Sequence, residues 1–423
     1  MLASLIFECK KLLKKRPIVA AICLCMLSAV WLYSSSYSRA THDQDILLTQ
    51  GIENYELQNE SYIQELKLER MKAEEAGDTQ QTDQLTEEIE MHEEWAADYN
   101  EHLPNEESSI SEPLYQGQIV YLHDLLHDPQ NYGMYIVDQE MSNFTYLVTM
   151  EEIKHLQKYK LEPLFQPTYY YTPYLDNIYE DFTGDAAAEW ASMTKRYSQM
   201  GFSYLYQIIP LFYIPAVIII GCFLFGNMIR RYHFNASLPL SWTKRFAAKY
   251  CASLLSLIGF TFLLLLVPLV ASLFSGGLGS LEYPVLVYDG PIIKNVNHTS
   301  LDLYDDSFHF ILLGEYLINV VWMTLGLTIF LHSFYMFIVS IVRKPFIAMI
   351  VMSSLIITSL ALFTHPYNPI SYIDIHRVIN GEIAAIQSEP VYTVGTAILL
   401  WGCASAVFLL LSSIRFRLDG KRL

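Results

Sequence analysis

Charge is missing from six long stretches of this chain: residues 17–38, 204–229, 250–281, 316–342, 345–373 and 390–414 contain no Asp, Glu, Lys or Arg. Charged residues make up 17% of the whole and hydrophobic ones 52%. A soluble chain of 423 residues divides into two or three domains and carries about 25% charge, so that class is excluded. A bilayer core about 30 Å thick takes about 20 apolar residues as helix, and each run is long enough to cross once.

Cysteine is missing from residues 39–200; the chain's cysteines are Cys9, Cys23, Cys25, Cys222, Cys251 and Cys403, all in apolar runs or beside them. That excludes a disulfide framework for the long hydrophilic segment and fits a bacterial cell surface better than an animal one. Cys23 and Cys25 read as small helix-packing residues rather than a metal pair.

Catalytic signatures are missing as well. The sequence contains no Gly-x-x-x-x-Gly-Lys-Ser/Thr loop, no His-Glu-x-x-His and no Gly-x-Ser-x-Gly elbow. Nucleotide hydrolysis and zinc- or serine-based hydrolysis therefore have no recognisable local machinery here. If this protein moves a cargo uphill, another chain must supply the energy.

What is present is a strongly uneven distribution of charge. Residues 36–200 carry a net charge of −24 and the remainder +7, so the overall −17 averages two unlike parts. The acidic part repels phosphates, which argues against nucleic acid as a partner. Basic residues cluster in alternate connections: Lys10, Lys11, Lys14, Lys15 and Arg16; Arg230, Arg231, Lys244, Arg245 and Lys249; Arg343 and Lys344; Arg415, Arg417, Lys421 and Arg422. The opposite connections offer only Lys294 and Arg377 outside the acidic part. The positive-inside rule then puts both termini and the 230–249 loop in the cytoplasm and residues 39–200 outside the cell membrane.

The expected architecture is a polytopic α-helical membrane protein with six spans and a large α-rich extracellular insertion between the first two. Residues 1–16 read as a cytoplasmic amphipathic elbow helix lying on membrane lipids, since leucines interleave the lysines. The spans are expected at 17–38, 203–229, 250–274, 311–342, 345–364 and 391–414, with a cytoplasmic tail at 415–423. The first run reads as a retained anchor rather than a cleaved signal. Within 39–200, the 3-4 spacing of Ile52, Tyr55, Asn59, Tyr62 and Leu66, and of Leu85, Ile89, His92, Ala96, Tyr99 and Leu103, predicts a helical hairpin over 43–103 turning at Ala76-Gly77-Asp78. Segments such as IVYLHDLL and NFTYLVTM mix β-branched and aromatic residues and predict a small α+β module over 110–182. Two further outer loops follow: 275–310, extended or hairpin-like, and 365–390. In the latter, Tyr372, Ile375, Ile379, Ile383 and Ile386 share a face and predict a short amphipathic helix.

Ionisable residues within the spans are few. Glu315 and His332 are candidate pathway residues because intramembrane polar groups are costly. A carrier coupled to ions through this pair is one reading, although one glutamate and one histidine make a sparse relay.

The connection SLPLSWTKRFAAKYCAS, residues 237–253, carries more structure than a simple link requires. Ser237-Leu238-Pro239-Leu240 reads as a turn. Ser241 is placed to cap a helix opening at Trp242, with Phe246, Ala247 and Tyr250 on one side and Lys244, Arg245 and Lys249 elsewhere. A cationic, capped helix projecting from the bilayer is a surface that a cytoplasmic motor can grip.

In these features the chain resembles the ABC-2 type transporter permeases. The elbow matches LIFECKKLLKKR; the small-x-Pro-(Leu/Ile)-Ser-x-x-(Lys/Arg) stretch with a following lysine matches Ser237, Pro239, Leu240, Ser241, Lys244 and Lys249. An Asn-Pro segment before the last span matches Asn368-Pro369-Ile370-Ser371-Tyr372. The likeness covers 1–38 and 203–423 and departs from the pattern at Arg230-Arg231-Tyr232-His233, where many members carry a glutamate. It implies the membrane subunit of an exporter of peptides, lipid-like molecules or drugs. The chain itself would bind no cofactor: ATP and magnesium would sit on a separate cytoplasmic ATPase. A second permease copy or homologue would complete the pathway. The resemblance further implies that Lys10, Lys11 and residues 237–249 meet the ATPase, and that Asn368, Pro369, Tyr372 and Arg377 belong to an outer gate. The competing reading is a sensor or scaffold that does not transport, whose acidic external domain binds a ligand.

Overall fold

A computed structural model describes residues 16–77, 79–102, 119, 123, 143–161, 200–226, 241–289 and 308–420. The elbow expected over 1–16, with Lys10 and Lys11, lies outside them apart from Arg16, as do Ser237, Pro239, Leu240 and most of 110–182. The described chain is mostly helical and forms two compact units, Ser38–Tyr197 and Met1–Tyr37 with Ser198–Leu423.

In the first unit, helix α1 (Arg16–Ala76) ends at a turn and α2 (Thr79–His102) returns alongside it. The boundary expected at residue 38 falls inside α1. The reversal uses Gly77 at φ 73°, a left-handed conformation that glycine adopts without steric cost. Leu66 and Ala73 meet Leu85 and Ile89 in an apolar seam. Outside the seam, Lys67 pairs with Glu93 at 2.6 Å and the Tyr62 hydroxyl donates to Glu88 at 3.1 Å. Burying a large apolar side chain is worth about 1.5–3 kcal/mol, against roughly 0–1 for an exposed ion pair, so the seam dominates. Helix α3 (Asn143–Tyr159) contains NFTYLVTM, part of the α+β module expected over 110–182. Val148, Glu152 and Leu156 are buried at a spacing of four, on one helical face.

The second unit supplies five helices long and apolar enough to cross a membrane, the make-up of a multi-pass α-helical membrane protein: Arg16–His42, Thr243–Ser272, Leu313–Val342, Pro345–Leu362 and Val394–Leu418. They belong to α1, α6 (Trp242–Ser272), α7 (Leu313–Val342), α8 (Pro345–Leu362) and α11 (Val394–Gly420). The span expected over 203–229 is not straight. Helix α4 (Gly201–Ile208) with its 3-10 extension to Leu211 meets α5 (Tyr213–Phe225) at 75°. Phe212 at the corner has φ 57°. Pro210 and Pro215 help to place the break: Pro215 lies in the first turn of α5, where the missing N–H has no helical acceptor to lose, and Pro210, in the 3-10 extension, lacks the N–H that would carry the α4 ladder onward.

Glycine lets α5 approach its neighbours closely, because a Cβ on Gly226 would enter the ring of Tyr335 in α7. Helices α7 and α8 are joined by Arg343 and Lys344 alone, with Arg343 left-handed at φ 60° and Pro345 opening α8. Rings weld α7 to α11: Phe334 and Phe408 lie 5.0 Å apart, and Phe330 and Trp401 6.5 Å apart. At the other side of the unit, Tyr33 meets Tyr204 edge to face at 5.1 Å and shares a 2.8 Å hydrogen bond with Ser275. Outward faces stay apolar, with Ile357 67% and Leu410 64% exposed, as helices solvated by lipid require.

Between α6 and α7 stand two antiparallel strands, β1 (Pro284–Tyr288) and β2 (Phe308–Leu312), in register Leu286 to Phe310. A compact cap follows α8: a 3-10 turn (Pro369–Tyr372), α9 (Ile375–Ile379) and α10 (Glu382–Gln387). The single amphipathic helix expected there is thus divided, because Gly381 is left-handed at φ 75°. Tyr372, Ile375 and Ile379 are buried, whereas Ile386 is 47% exposed.

Candidate functional site

Helix α6 begins at Trp242 and continues without interruption through its apolar run to Ser272. Ser241 occupies the N-cap position in extended conformation but its side chain accepts no helical N–H; its Oγ lies 3.2 Å from the Thr243 hydroxyl. The expected side-chain cap is therefore absent, the hydroxyl being engaged by its neighbour. Ser241, Thr243 and Lys244 are exposed and Arg245 is half-buried. Lys249 departs from the expected cationic face: it is only 4% exposed. Three residues after Phe246 and beside Tyr250, it falls on the inward side of the helix. The Phe246 and Tyr250 ridge faces inward too, packing with Met336 of α7 and Phe416 of α11. Among the described side chains, what the start of α6 presents outward is thus polar and cationic.

One step along, α6 and α7 share a polar cluster. The Tyr250 and Ser333 hydroxyls are 2.9 Å apart, and Ser253 Oγ lies 2.8 Å from His332 Nε2. His332 is fully buried, and among the described residues its Nδ1 has no hydrogen-bond partner. Glu315 lies in the first turn of α7 and is exposed. Seventeen residues of helix separate it from His332, about 25 Å of rise, so the fold does not bring this pair together.

The outer-gate candidates do converge. Asn368 starts the 3-10 turn: its Oδ1 accepts the Ile370 N–H at 3.1 Å, while its Nδ2 donates at 2.8 Å to Ser359 Oγ and to the Phe363 carbonyl of the α8 end. The Pro369 carbonyl accepts the Trp401 indole N–H at 2.8 Å. Tyr372 donates to the Pro366 carbonyl at 2.7 Å and stands 5.1 Å from the Tyr392 ring. The Asn-Pro segment consequently fastens α8 to α11. Burial pushes the Tyr372 phenol up to about 12.

Arg377 lies between two acids, with Nε 2.9 Å from Glu382 and 3.5 Å from Asp374. Asp374 caps α9 by accepting the Arg377 N–H at 3.3 Å. Burial raises its carboxyl above the ordinary value, and the bonds from Arg377 work against that. Next to this group is a hub that the sequence does not announce. His376 Nδ1 lies 2.9 Å from the Tyr316 hydroxyl and its Nε2 3.3 Å from Asn380 Nδ2. Its ring meets the Tyr206 and Tyr316 rings edge to face, each at 5.8 Å. The Asn380 carbonyl accepts the Tyr288 N–H of β1 at 2.8 Å. The usable local signal was Asn380-Gly381, a turn pair that ends α9 beneath the histidine.

Among the described residues no three His, Cys, Asp or Glu side chains could together hold a metal ion. No protein-family model matches the chain, and no curated protein or solved structure does so.

Proposed function

We propose that this protein is the membrane subunit of an ATP-driven exporter of the ABC-2 permease type, working with a separate cytoplasmic ATPase and a second permease copy or homologue. One observation carries the reading. The cationic first turns at Lys244 and Arg245 and the apolar run to Ser272 are a single helix, so a push on the exposed end is transmitted directly into the bundle. Counting the bent α4 and α5 pair as one span gives six. With the termini in the cytoplasm, residues 39–200 lie outside and the 369–388 cap covers the outer end. A peptide, lipid-like or drug-like cargo suits a pathway between such helices.

The test is co-purification from native membranes followed by ATPase assay in lipid. Recovery of a nucleotide-hydrolysing chain whose turnover depends on Lys244 and Arg245 supports the proposal. Recovery of none, with transport or resistance unchanged by the double substitution to glutamate, overturns it. The sensor reading has one observation in its favour, that Ser38–Tyr197 forms a compact unit of its own.

A further inference from the structure

We propose that His376 is a proton-operated latch inside the cap: neutral, it accepts from Asn380 and keeps α9 and α10 locked across Gly381, and on taking up a proton at Nε2 it releases Asn380. The hydrogen-bond pattern assigns the resting state. Asn380 Oδ1 accepts the Glu382 N–H at 3.1 Å, which orients the amide so that Nδ2 points at the histidine. An amide NH2 only donates, so Nε2 is the acceptor and carries a lone pair. The ring proton is then on Nδ1, facing the Tyr316 hydroxyl at 2.9 Å. This tautomer follows from the bonding and not from observed hydrogens.

A proton added to Nε2 sets N–H against N–H. To accept the new hydrogen, the Asn380 amide must turn over, and its NH2 then faces the Glu382 N–H, which loses its acceptor. No arrangement of Asn380 satisfies both neighbours at once. The bond that fails spans Gly381, left-handed at φ 75° and joining α9 to α10. Across it Asn380 also takes the β1 N–H of Tyr288 at 2.8 Å. The strain therefore enters at the hinge between the two cap helices.

The surroundings permit the switch in both directions. On its own helix the histidine has Asp374 and Arg377; α10 contributes Glu382; α7 contributes the Tyr316 phenol, with exposed Glu315 adjacent in sequence; α4 contributes Tyr206 and β1 Tyr288. Two carboxylates against one guanidinium leave room for a second cation, so charge favours uptake while hydrogen bonding opposes it. His376 is half-buried, so protons reach it. Because opening follows uptake of a proton at Nε2, it is favoured on the acidic side. The latch does not depend on the exporter reading.

The experiment uses the full chain in lipid nanodiscs, with spin labels replacing exposed Ile386 in the cap and exposed Phe274 after α6, in a background whose native cysteines are serine. Distances are read at about pH 8 and about pH 5.5, either side of the imidazole range. The expected result is a reversible broadening or lengthening at the lower pH. His376→Gln should hold the high-pH distribution at both. Asn380→Asp supplies an acceptor to both neighbours, so the imidazolium is satisfied in place and the low-pH change should be abolished; it also serves if His376→Gln does not fold. A wild-type distribution that is the same at both pH values, or an equal shift persisting in both variants, overturns the latch.

Discussion

Tyr213 donates its hydroxyl hydrogen to the carbonyl of Leu264 at 3.2 Å. That carbonyl is four residues before Pro268, inside α6, and proline has no N–H to offer it. In a membrane no water is at hand to replace the missing donor. The first residue after the corner in the bent α4 and α5 pair thus satisfies the gap that proline opens in its neighbour.

A double-mutant cycle tests this pairing. Tyr213→Phe should cost about 1–3 kcal/mol, the penalty of an orphaned buried carbonyl. In a Pro268→Ala background the helix regains its own N–H donor, and the same substitution should cost less than about 1 kcal/mol. Reversible unfolding in mixed micelles reads both. Equal costs in the two backgrounds would show that the hydroxyl serves some other partner.

Charge reversal at the start of α6 comes next. On the exporter proposal, Lys244→Glu with Arg245→Glu should lower the ATP hydrolysis of a co-purified ATPase and any transport at least about tenfold, the loss expected when like charges face a complementary partner. Stability should change little, because Lys244 is exposed and Arg245 half-buried. A drop in melting temperature as large as the loss of activity would point to misfolding instead.

Gly381→Ala should be poorly tolerated. The position is left-handed, and a Cβ there would run into the Tyr288 carbonyl, which is backbone and has little freedom to move. The left-handed conformation costs about 1–2 kcal/mol and overpacking about 1–3 more, so a loss of roughly 2–5 is expected. Gly77→Ala, where a Cβ meets open space, should cost only the conformational part. Thermal unfolding of the two variants side by side separates the contributions.

Asp374 makes a pH prediction with a definite sign. Burial raises its carboxyl in the folded state, so the folded chain holds the proton more tightly than the unfolded one. Between the ordinary value of 3.8 and the raised one, stability must therefore fall as pH rises. Asp374→Asn removes this slope while keeping a side-chain oxygen able to cap α9. Its unfolding should be flatter with pH from about 4 upward. A slope unchanged by the substitution would place the titration elsewhere.

Several features were legible in sequence because they follow from local chemistry. Each charge-free run announces an apolar helix, since the bilayer penalises polar groups one at a time. Ala76-Gly77-Asp78 announces a reversal because only certain residues turn cheaply. Ser-Leu-Pro-Leu-Ser announces a helix beginning at Trp242 for the same reason. Other features were not legible, and the common cause is distance along the chain. Lys249 went inward because its side of the helix meets α7 and α11.

Composition and periodicity by themselves determined that this is a mostly helical membrane protein with a separate acidic part, since transfer from water is a sum over residues and needs no partner. The tertiary structure alone decided where the second span bends, that the Asn-Pro segment fastens α8 to α11, and that His376 sits between Tyr316 and Asn380. Each of those depends on hydrogen bonds or close approaches between segments far apart in the chain. Hydrogen bonds are directional, so only the folded arrangement says which donor meets which acceptor.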